Sequence, residues 1–552
     1  MDGAGVSRTD AAVSKLPDPW EQGLQSGWKV LGQDAPPPSR LSCDVLVVGT
    51  GAGGGISAEL LARAGFDVLM VEEGPLKTSR DFNQLESEAY PTLYQESAAR
   101  KTADKAINIL QGRCVGGSTT VNWTSSFRTP PDTLAHWQDH FGLTELSEAG
   151  MQPYFEQAER RLNVSPWEVA PNLNNELLGR GAAKLGIPSS HIRRNVRGCW
   201  NLGSCGMGCP TNAKQSQLLT GVPTALTHGA RLLVHTRVGR LQISDGRVTR
   251  VHASYLGSKE TSPQDSKALV AIEIDAKHVV LAGGAINSPA VLLRSQAPDP
   301  HQRLGVRTFL HPVVMSSAHF AQPVEGWAGA PQTVYTDHFL GTQPIDGPMG
   351  YKLEAPPIHP VIFASSIPGM GQSQAELLKT FPHQHIQLAL LRDGFAPESP
   401  GGQVRLRSDG SAELDYPLNP FVMDGARRAL LSMAEIQLAA GADWVLPVHE
   451  QAQRYTTWAQ AKVAINALPM VPLQARVVSA HVMGGCGMAA DPARGVVRPD
   501  GVHWHVANLS VHDGSLFPTS IGANPQLSIY GLVNRLTQDL IRRLGREPQP
   551  LA

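Results

Sequence analysis

The clearest chemical signature lies early in the chain. Gly49-Thr50-Gly51-Ala52-Gly53-Gly54 fits G-x-G-x-x-G, and Glu72 stands 21 residues past Gly51. Glycines at these positions let the backbone approach a pyrophosphate. A helix opening at the motif offers that anion free N–H groups and the positive end of its dipole. An acid about 20 residues on accepts hydrogen bonds from the adenosine ribose. Gly49, Gly51, Gly54 and Glu72 are the expected dinucleotide contacts, with Glu73 the alternative one residue on. The motif alone does not separate NAD from FAD.

Two other groupings suggest metals. Cys199, Cys205 and Cys209-Pro210 nearly match the ferredoxin run C-x2-C-x2-C-x3-C-P, but Leu202 occupies the second ligand position. A cluster would need a fourth ligand from elsewhere, such as Cys486, so the run reads as a structural loop over the cofactor. His503-Trp504-His505 has the spacing of two rings on one strand face, without the carboxylate or Cys that completes a metal site. No metal is expected.

The elements that position the glycine motif follow from periodicity. Residues 43–48 are short, apolar and Val-rich, as in a buried parallel strand. Residues 54–65 read as a helix and 67–72 as a second strand, giving a βαβ unit. Residues 232–256 read as a β-meander turning at Ser244-Asp245-Gly246. Residues 278–282 read as another parallel strand, with Ser288-Pro289 as a helix N-cap and first residue. Residues 297–475 break into short runs rich in Pro and Gly. From Val477 the strand–turn–helix texture returns, ending in an amphipathic helix from Pro525 to about Arg543.

The predicted fold class is α/β: a Rossmann-type dinucleotide-binding domain, split along the chain, with an inserted sheet-based substrate domain. The expected boundaries are a polar, unstructured arm at 1–40, the cofactor domain at 41–296 and 476–552, and the substrate domain at 297–475.

Composition narrows the function class. In 552 residues the net charge is −1, charged residues are 17% and hydrophobic residues 41%. That is too apolar for disorder, and it lacks the basic surplus of a nucleic-acid binder. Six Cys do not make a disulfide scaffold. No window of about 18 apolar residues reads as a membrane span. The N-terminal residues lack an apolar signal core and a twin-Arg pair. A cytoplasmic enzyme is expected.

Three further segments resemble the glucose–methanol–choline (GMC) oxidoreductases, FAD enzymes that oxidise alcohols. Gly112–Asn122 is similar to that family's first signature. Gly284–Ser295 follows the second, with Gln296 where the family usually has Gly. The C-terminal segments are His481-Val482-Met483-Gly484-Gly485, Asp513-Gly514-Ser515 and Asn524-Pro525. The resemblance covers residues 42 to 545. A His paired with Asn-Pro, together with His311-Pro312 and the Cys-rich loop, points to the long-chain-alcohol-oxidase-like and sterol-oxidase-like branch.

The resemblance implies FAD contacts at Gly49, Gly51, Gly54 and Glu72. It also implies Gly117, Ser118 and Asn122 beside the flavin, the backbone of Val238 beside the adenine, and Asp513 and Gly514. Ser118–Trp123 has no His for a covalent link, so non-covalent FAD is expected.

Oxidising an alcohol removes a proton from oxygen and a hydride from carbon, the hydride going to flavin N5. His suits the base by its ordinary pKa, and a second polar group should hold the oxygen. His481 and Asn524 are the expected base and anchor, Asn524 doubling as a helix N-cap. Residues 311–390 should line much of the pocket. They carry seven charged residues and no Arg, so an apolar or aromatic alcohol suits them better than an acid needing an Arg clamp. Glu354 reads as solvated, with a buried second acid/base as the alternative.

The implied partners are an alcohol and an electron acceptor: O2, a quinone or a cytochrome. Some relatives are exported folded on a small signal-bearing partner subunit, which makes a periplasmic location the alternative. The competing functions are a flavin photoenzyme that decarboxylates fatty acids and an electron-carrier flavoprotein subunit.

Overall fold

The structure, a computed structural model, describes residues 17–257 and 269–551. β1 (Arg40–Val48) leads through a glycine turn into α1 (Ala52–Arg63) and returns as β2 (Val68–Val71). The parallel core continues with β3 (Arg231–Leu233). The chain then runs through the hairpin β4 (Thr236–Ser244) and β5 (Arg247–Tyr255) to β6 (Val270–Leu281). β1 lies between β2 and β6, all parallel. Val45, Leu46 and Val47 are fully buried, each worth about 1.5–3 kcal/mol. This apolar centre fixes where the glycine turn emerges.

The second sheet is mostly antiparallel. Its middle is β7 (Val313–His319), β8 (Tyr351–Glu354) and β9 (Gln384–Leu391), with β9 between the other two. Strands at 107–109 and 477–479 extend it beyond β7. The 21-residue helix α2 (Pro420–Ala440) packs on β7 and β9. Back in the first sheet, β10 (Leu509–Val511) pairs with β6, and α3 (Gln526–Arg543) packs against α1. The architecture is α/β, a split cofactor-binding sheet with a sheet-based second unit.

Several local expectations need correction. Arg231–Leu233 leaves the supposed meander to pair in parallel with β2, because Leu232 and Leu233 are fully buried in the sheet interior. Ser288 does not cap its helix, which starts earlier at Gly284; its Oγ donates to Asp513 instead. Residues 17–40 are structured: Trp20 is buried with Nε1 donating to Leu218 O, and Lys29–Leu31 joins the edge of the first sheet. Residues 1–16 of the expected arm lie outside the described residues. The long α2 was hidden in the Pro- and Gly-rich texture. No helix among the described residues is long and apolar enough to cross a membrane.

Candidate active site

A cavity of about 1960 Å³ runs from the glycine turn after β1 to His481 and Asn524. Gly49 and Gly51 line it; Gly54 does not. A Cβ at Gly54 would lie 1.9 Å from Gly49 O, so this glycine lets α1 close against the turn. Gly51 ends the turn as the N-cap of α1 without side-chain capping, which leaves first-turn N–H groups for an anion. Gly117, at φ 53°, comes so near that a Cβ on it would sit 2.8 Å from Gly51 Cα. A Cβ on Gly51 would meet its first protein atom only at 3.9 Å. The two loops form a bare backbone cradle, the donor chemistry that a dinucleotide pyrophosphate requires, and FAD fits it.

Glu72 and Glu73 both line the cavity but hold different partners. One Glu72 oxygen accepts from Thr50 N–H at 3.1 Å and Thr50 Oγ1 at 2.7 Å, the other from Gly74 N–H at 2.9 Å. Burial pushes its carboxyl above the usual range. Glu72 thus anchors the glycine turn. Glu73, also on the cavity, pairs with Arg113 and Arg237, both at 3.1 Å. Burial works against ionisation, but the two guanidiniums prevail and hold its carboxyl low.

The remaining expected cofactor residues gather on the same cavity: Ser118, Asn122, Val238, Asp513 and Gly514. Ser118 Oγ accepts from Gly112 N–H, tying the first signature together. Asn122 Nδ2 donates to Gln526 Oε1 at 2.7 Å. Asp513 Oδ2 accepts from Gly284 N–H at 2.8 Å and Ser288 Oγ at 2.6 Å, joining the second signature to the C-terminal segment. Val238 pairs with Ala253 across the β4–β5 hairpin.

His481 follows the strand Val477–Ser479 and meets a residue the catalytic argument overlooked. Its Nδ1 lies 3.3 Å from Nδ1 of His311, which is fully buried. Gly522 N–H donates to His311 Nε2 at 3.0 Å. His311 adopts φ 44°, and buried Asp393 holds that conformation by accepting from Leu310 N–H at 3.0 Å and His311 N–H at 3.1 Å. Burial, with a contribution from Lys352, pushes His481 down to about 3. That lies well below the ordinary range of a histidine.

Asn524 does not cap α3, whose N-cap is Pro525. Its Oδ1 accepts from Lys352 Nζ at 3.1 Å, and its Nδ2 donates to Glu354 Oε2 at 3.2 Å. Lys352 and Glu354, two apart on β8, share one face and pair at 2.9 Å with side chains 2% and 0% exposed. The reading of Glu354 as solvated was wrong: period 2 on an interior strand buried both charges. Lys352 Nζ also sits 3.0 Å from the Phe127 ring centroid.

The Cys loop backs the site without lining the cavity. Buried Lys214 donates to the carbonyls of Thr120 (2.8 Å), Asn122 (2.6 Å) and Cys205 (2.7 Å). Fully buried Arg194 donates to Thr124 Oγ1 and Trp123 O. The six cysteines are free thiols. His503 is buried and His505 exposed, with the two ring centroids 6.2 Å apart. Among the described residues no group of three or more His, Cys, Asp or Glu could hold a metal ion.

Where the cavity passes the second sheet, 311–390 contributes Val313, Met315, Ile358, Ile386, Leu388 and Leu390 among others, and none of its seven charged residues.

Comparisons with known proteins identify the family and the fold. Family models described as GMC oxidoreductase match residues 90–313 and 397–532. A GMC-type oxidoreductase of Mycobacterium tuberculosis, itself uncharacterized, is 30% identical over 518 residues, covering 93% of this chain and 78% of the relative. A long-chain-alcohol oxidase of Arabidopsis thaliana is 28% identical over 519 residues, covering 90% of this chain and 68% of the relative. Among solved structures, pyridoxine 4-oxidase from Mesorbium loti superposes with a TM-score of 0.66 at 19% identity, covering 91% of this chain and 99% of that one. Formate oxidase from Aspergillus oryzae gives 0.64 at 14%, covering 92% and 99%.

Proposed function

The chain belongs to the GMC oxidoreductase family, an FAD-dependent alcohol oxidase or dehydrogenase, and from that premise we propose that it oxidises the CH–OH group of an apolar or aromatic alcohol to a carbonyl. One observation carries the substrate class: the cavity wall supplied by 311–390 is uncharged, although Lys352 and Glu354 lie immediately behind it. An acidic substrate would meet no Arg clamp there. A long apolar chain or an aromatic ring would be desolvated at little cost.

In this reading the FAD is held at Gly49, Gly51, Gly117, Ser118, Asn122, Val238, Asp513 and Gly514, with Glu73 facing the ribose and Glu72 bracing the turn. Bound FAD supplies the hydride acceptor. His481 is the acid–base group at the alcohol oxygen and Asn524 its second contact. Asn524 presents a donor because Lys352 occupies its oxygen and Glu354 takes only one of its two N–H bonds. Ser118–Trp123 offers no histidine for a covalent link, so the cofactor is held by non-covalent contacts alone.

The test is anaerobic. Long-chain and aromatic alcohols should bleach the flavin in the dark, while 2-hydroxy acids should not. Admitting air then distinguishes an oxidase, whose colour returns at once, from a dehydrogenase. Bleaching by hydroxy acids alone would overturn the substrate class. Fatty-acid loss that requires light would favour decarboxylation. On acid precipitation the yellow colour should pass to the supernatant; colour retained in the pellet would contradict non-covalent binding.

A further inference from the structure

Two positive charges lie buried behind the cavity wall at residues 121–125, and no carboxylate balances them. Arg194 and Lys214 are 0% and 2% exposed. Lys214 Nζ donates to three carbonyls, those of Thr120, Asn122 and Cys205, and only the ammonium form has three N–H bonds to give. Arg194 keeps its charge in any protein setting. Neither forms an ion pair with an acid among the described residues. Neither lines the cavity, where a cofactor's phosphates would meet it.

Buried charges in folded proteins are paired. What these two cations face is sulfur. Arg194 Nη2 points at Cys205 Sγ, 3.9 Å away, and its Nη1 has no hydrogen-bond partner among the described residues. The charged and titratable groups acting on Lys214 are Cys205, Cys209, Arg194 and Cys114. Cys114 is fully buried, whereas Cys199, Cys205 and Cys209 are partly open to solvent. Cys209 is the thiol set among donors. Its Sγ lies 3.5 Å from Thr211 Oγ1, and the backbone N–H groups of Thr211 and Lys214 turn toward it.

We propose that Cys209 is held as a thiolate by this nest and the buried Lys214 ammonium, and that it is the site at which a hydroperoxide oxidises the chain. The proposal goes beyond alcohol oxidation and does not rest on it. The thiolate attacks one peroxide oxygen. An S–O bond forms and the O–O bond breaks, giving Cys209–SOH and a hydroxide that takes a proton from solvent. Sulfur loses two electrons and the peroxide gains them.

The other thiols are set apart from this one. Burial raises Cys43 and Cys114 each to about 12, and it also raises Cys199. At Cys209 burial works the same way, but Thr211 and Lys214 prevail and hold it below the usual thiol range. The oxidation has a route to the cofactor site. Lys214 grips Asn122 O, on the cavity wall, so a neutral sulfenic acid leaves its ammonium unbalanced and loosens that segment.

Hydrogen peroxide added to the holoenzyme with dimedone present, followed by peptide mass spectrometry, reads the site. The adduct should form on Cys209 at least ~10-fold faster than on Cys199, as thiolate character dictates. Iodoacetamide tests the thiolate without an oxidant: alkylation of Cys209 should reach half its full rate below the ordinary thiol value of about 8.5. FAD release should quicken several-fold after peroxide and recover with dithiothreitol. Cys209→Ser should release FAD faster, while Cys209→Asp, which keeps a negative charge, should hold it more nearly as the wild type does. Adducts on Cys199 or Cys205 in place of Cys209 would overturn the site. Alkylation that rises only at or above the ordinary thiol range would overturn the thiolate, and FAD release indifferent to peroxide would overturn the link to the cofactor. The labelling uses the natural chain and no alcohol, so it stands whether or not a variant folds and whatever substrate the enzyme takes.

Discussion

Lys352 Nζ lies 3.1 Å from Asn524 Oδ1 and 2.9 Å from Glu354 Oε1, with neither charged side chain on the cavity. An amide held at its oxygen by a cation and at its nitrogen by a carboxylate cannot flip. The pair thus orients Asn524 while remaining hidden from substrate. Burial, opposed by Glu354, brings Lys352 down to about 8. Removing Lys352 alone strands a buried carboxylate. Lys352→Met should cost ~3–5 kcal/mol in urea unfolding. The double variant with Glu354→Gln should recover most of that stability, yet flavin reduction should stay slow in both. A double variant reducing at the wild-type rate would show that Asn524 does not depend on the pair.

Asn524→Ala separates chemistry from capping. The side chain makes no cap hydrogen bond to α3, so no helix-capping loss is expected. Flavin reduction should fall by ~10²–10³-fold, the usual cost of one donor at a developing oxyanion. FAD should remain bound, measured as the absorbance ratio of purified protein. Loss of cofactor along with rate would assign Asn524 a binding role instead.

Glu72 and Glu73 should give different phenotypes. Glu72→Ala removes the acceptor for Thr50 and Gly74, so it should lower the stability of the cofactor-free protein by ~1–3 kcal/mol and weaken FAD binding with it. Glu73→Ala leaves the turn intact and should weaken FAD binding while shifting apoprotein melting much less. Titration of apoprotein with FAD, followed by fluorescence quenching, compares the two. Equal melting temperatures for both apoproteins would contradict this division.

Buried neutral histidines set the acid limit of the fold. Burial pushes His278, His385, His481 and His512 each to about 3. An unfolded histidine binds its proton near pH 6.5, so below that pH the unfolded chain holds protons that the folded one lacks. Each such group contributes stability that is full above 6.5 and is lost as pH falls toward 3. The slope is about 1.4 kcal/mol per pH unit for each group. The urea midpoint should drop steeply from pH 6.5 to 4, and His385→Gln should flatten the drop. A flat profile over that range would contradict the neutral state of these rings.

The sequence by itself determined what depends on local pattern. Val45, Leu46 and Val47 required a buried strand, and Gly49–Gly54 between two such strands required a dinucleotide turn. The family signatures, each a short continuous run, placed His481 and Asn524 without reference to the fold. What it could not supply were contacts set by strand face and by loops distant along the chain. Glu354 read as solvated because a charge in isolation favours water; only the interior position of β8, which puts Lys352 on the same face, makes burial tolerable. Glu72 and Glu73 differ by one residue and both line the cavity, and spacing alone cannot show that the first holds Thr50 and Gly74 while the second pairs with Arg113 and Arg237. His311 lies 170 residues from His481, and its other ring nitrogen meets Gly522 N–H, a backbone group that carries no residue-type signal. Tertiary structure decided these because hydrogen-bond direction is a property of three-dimensional neighbours, and the chain writes down only one neighbour on each side.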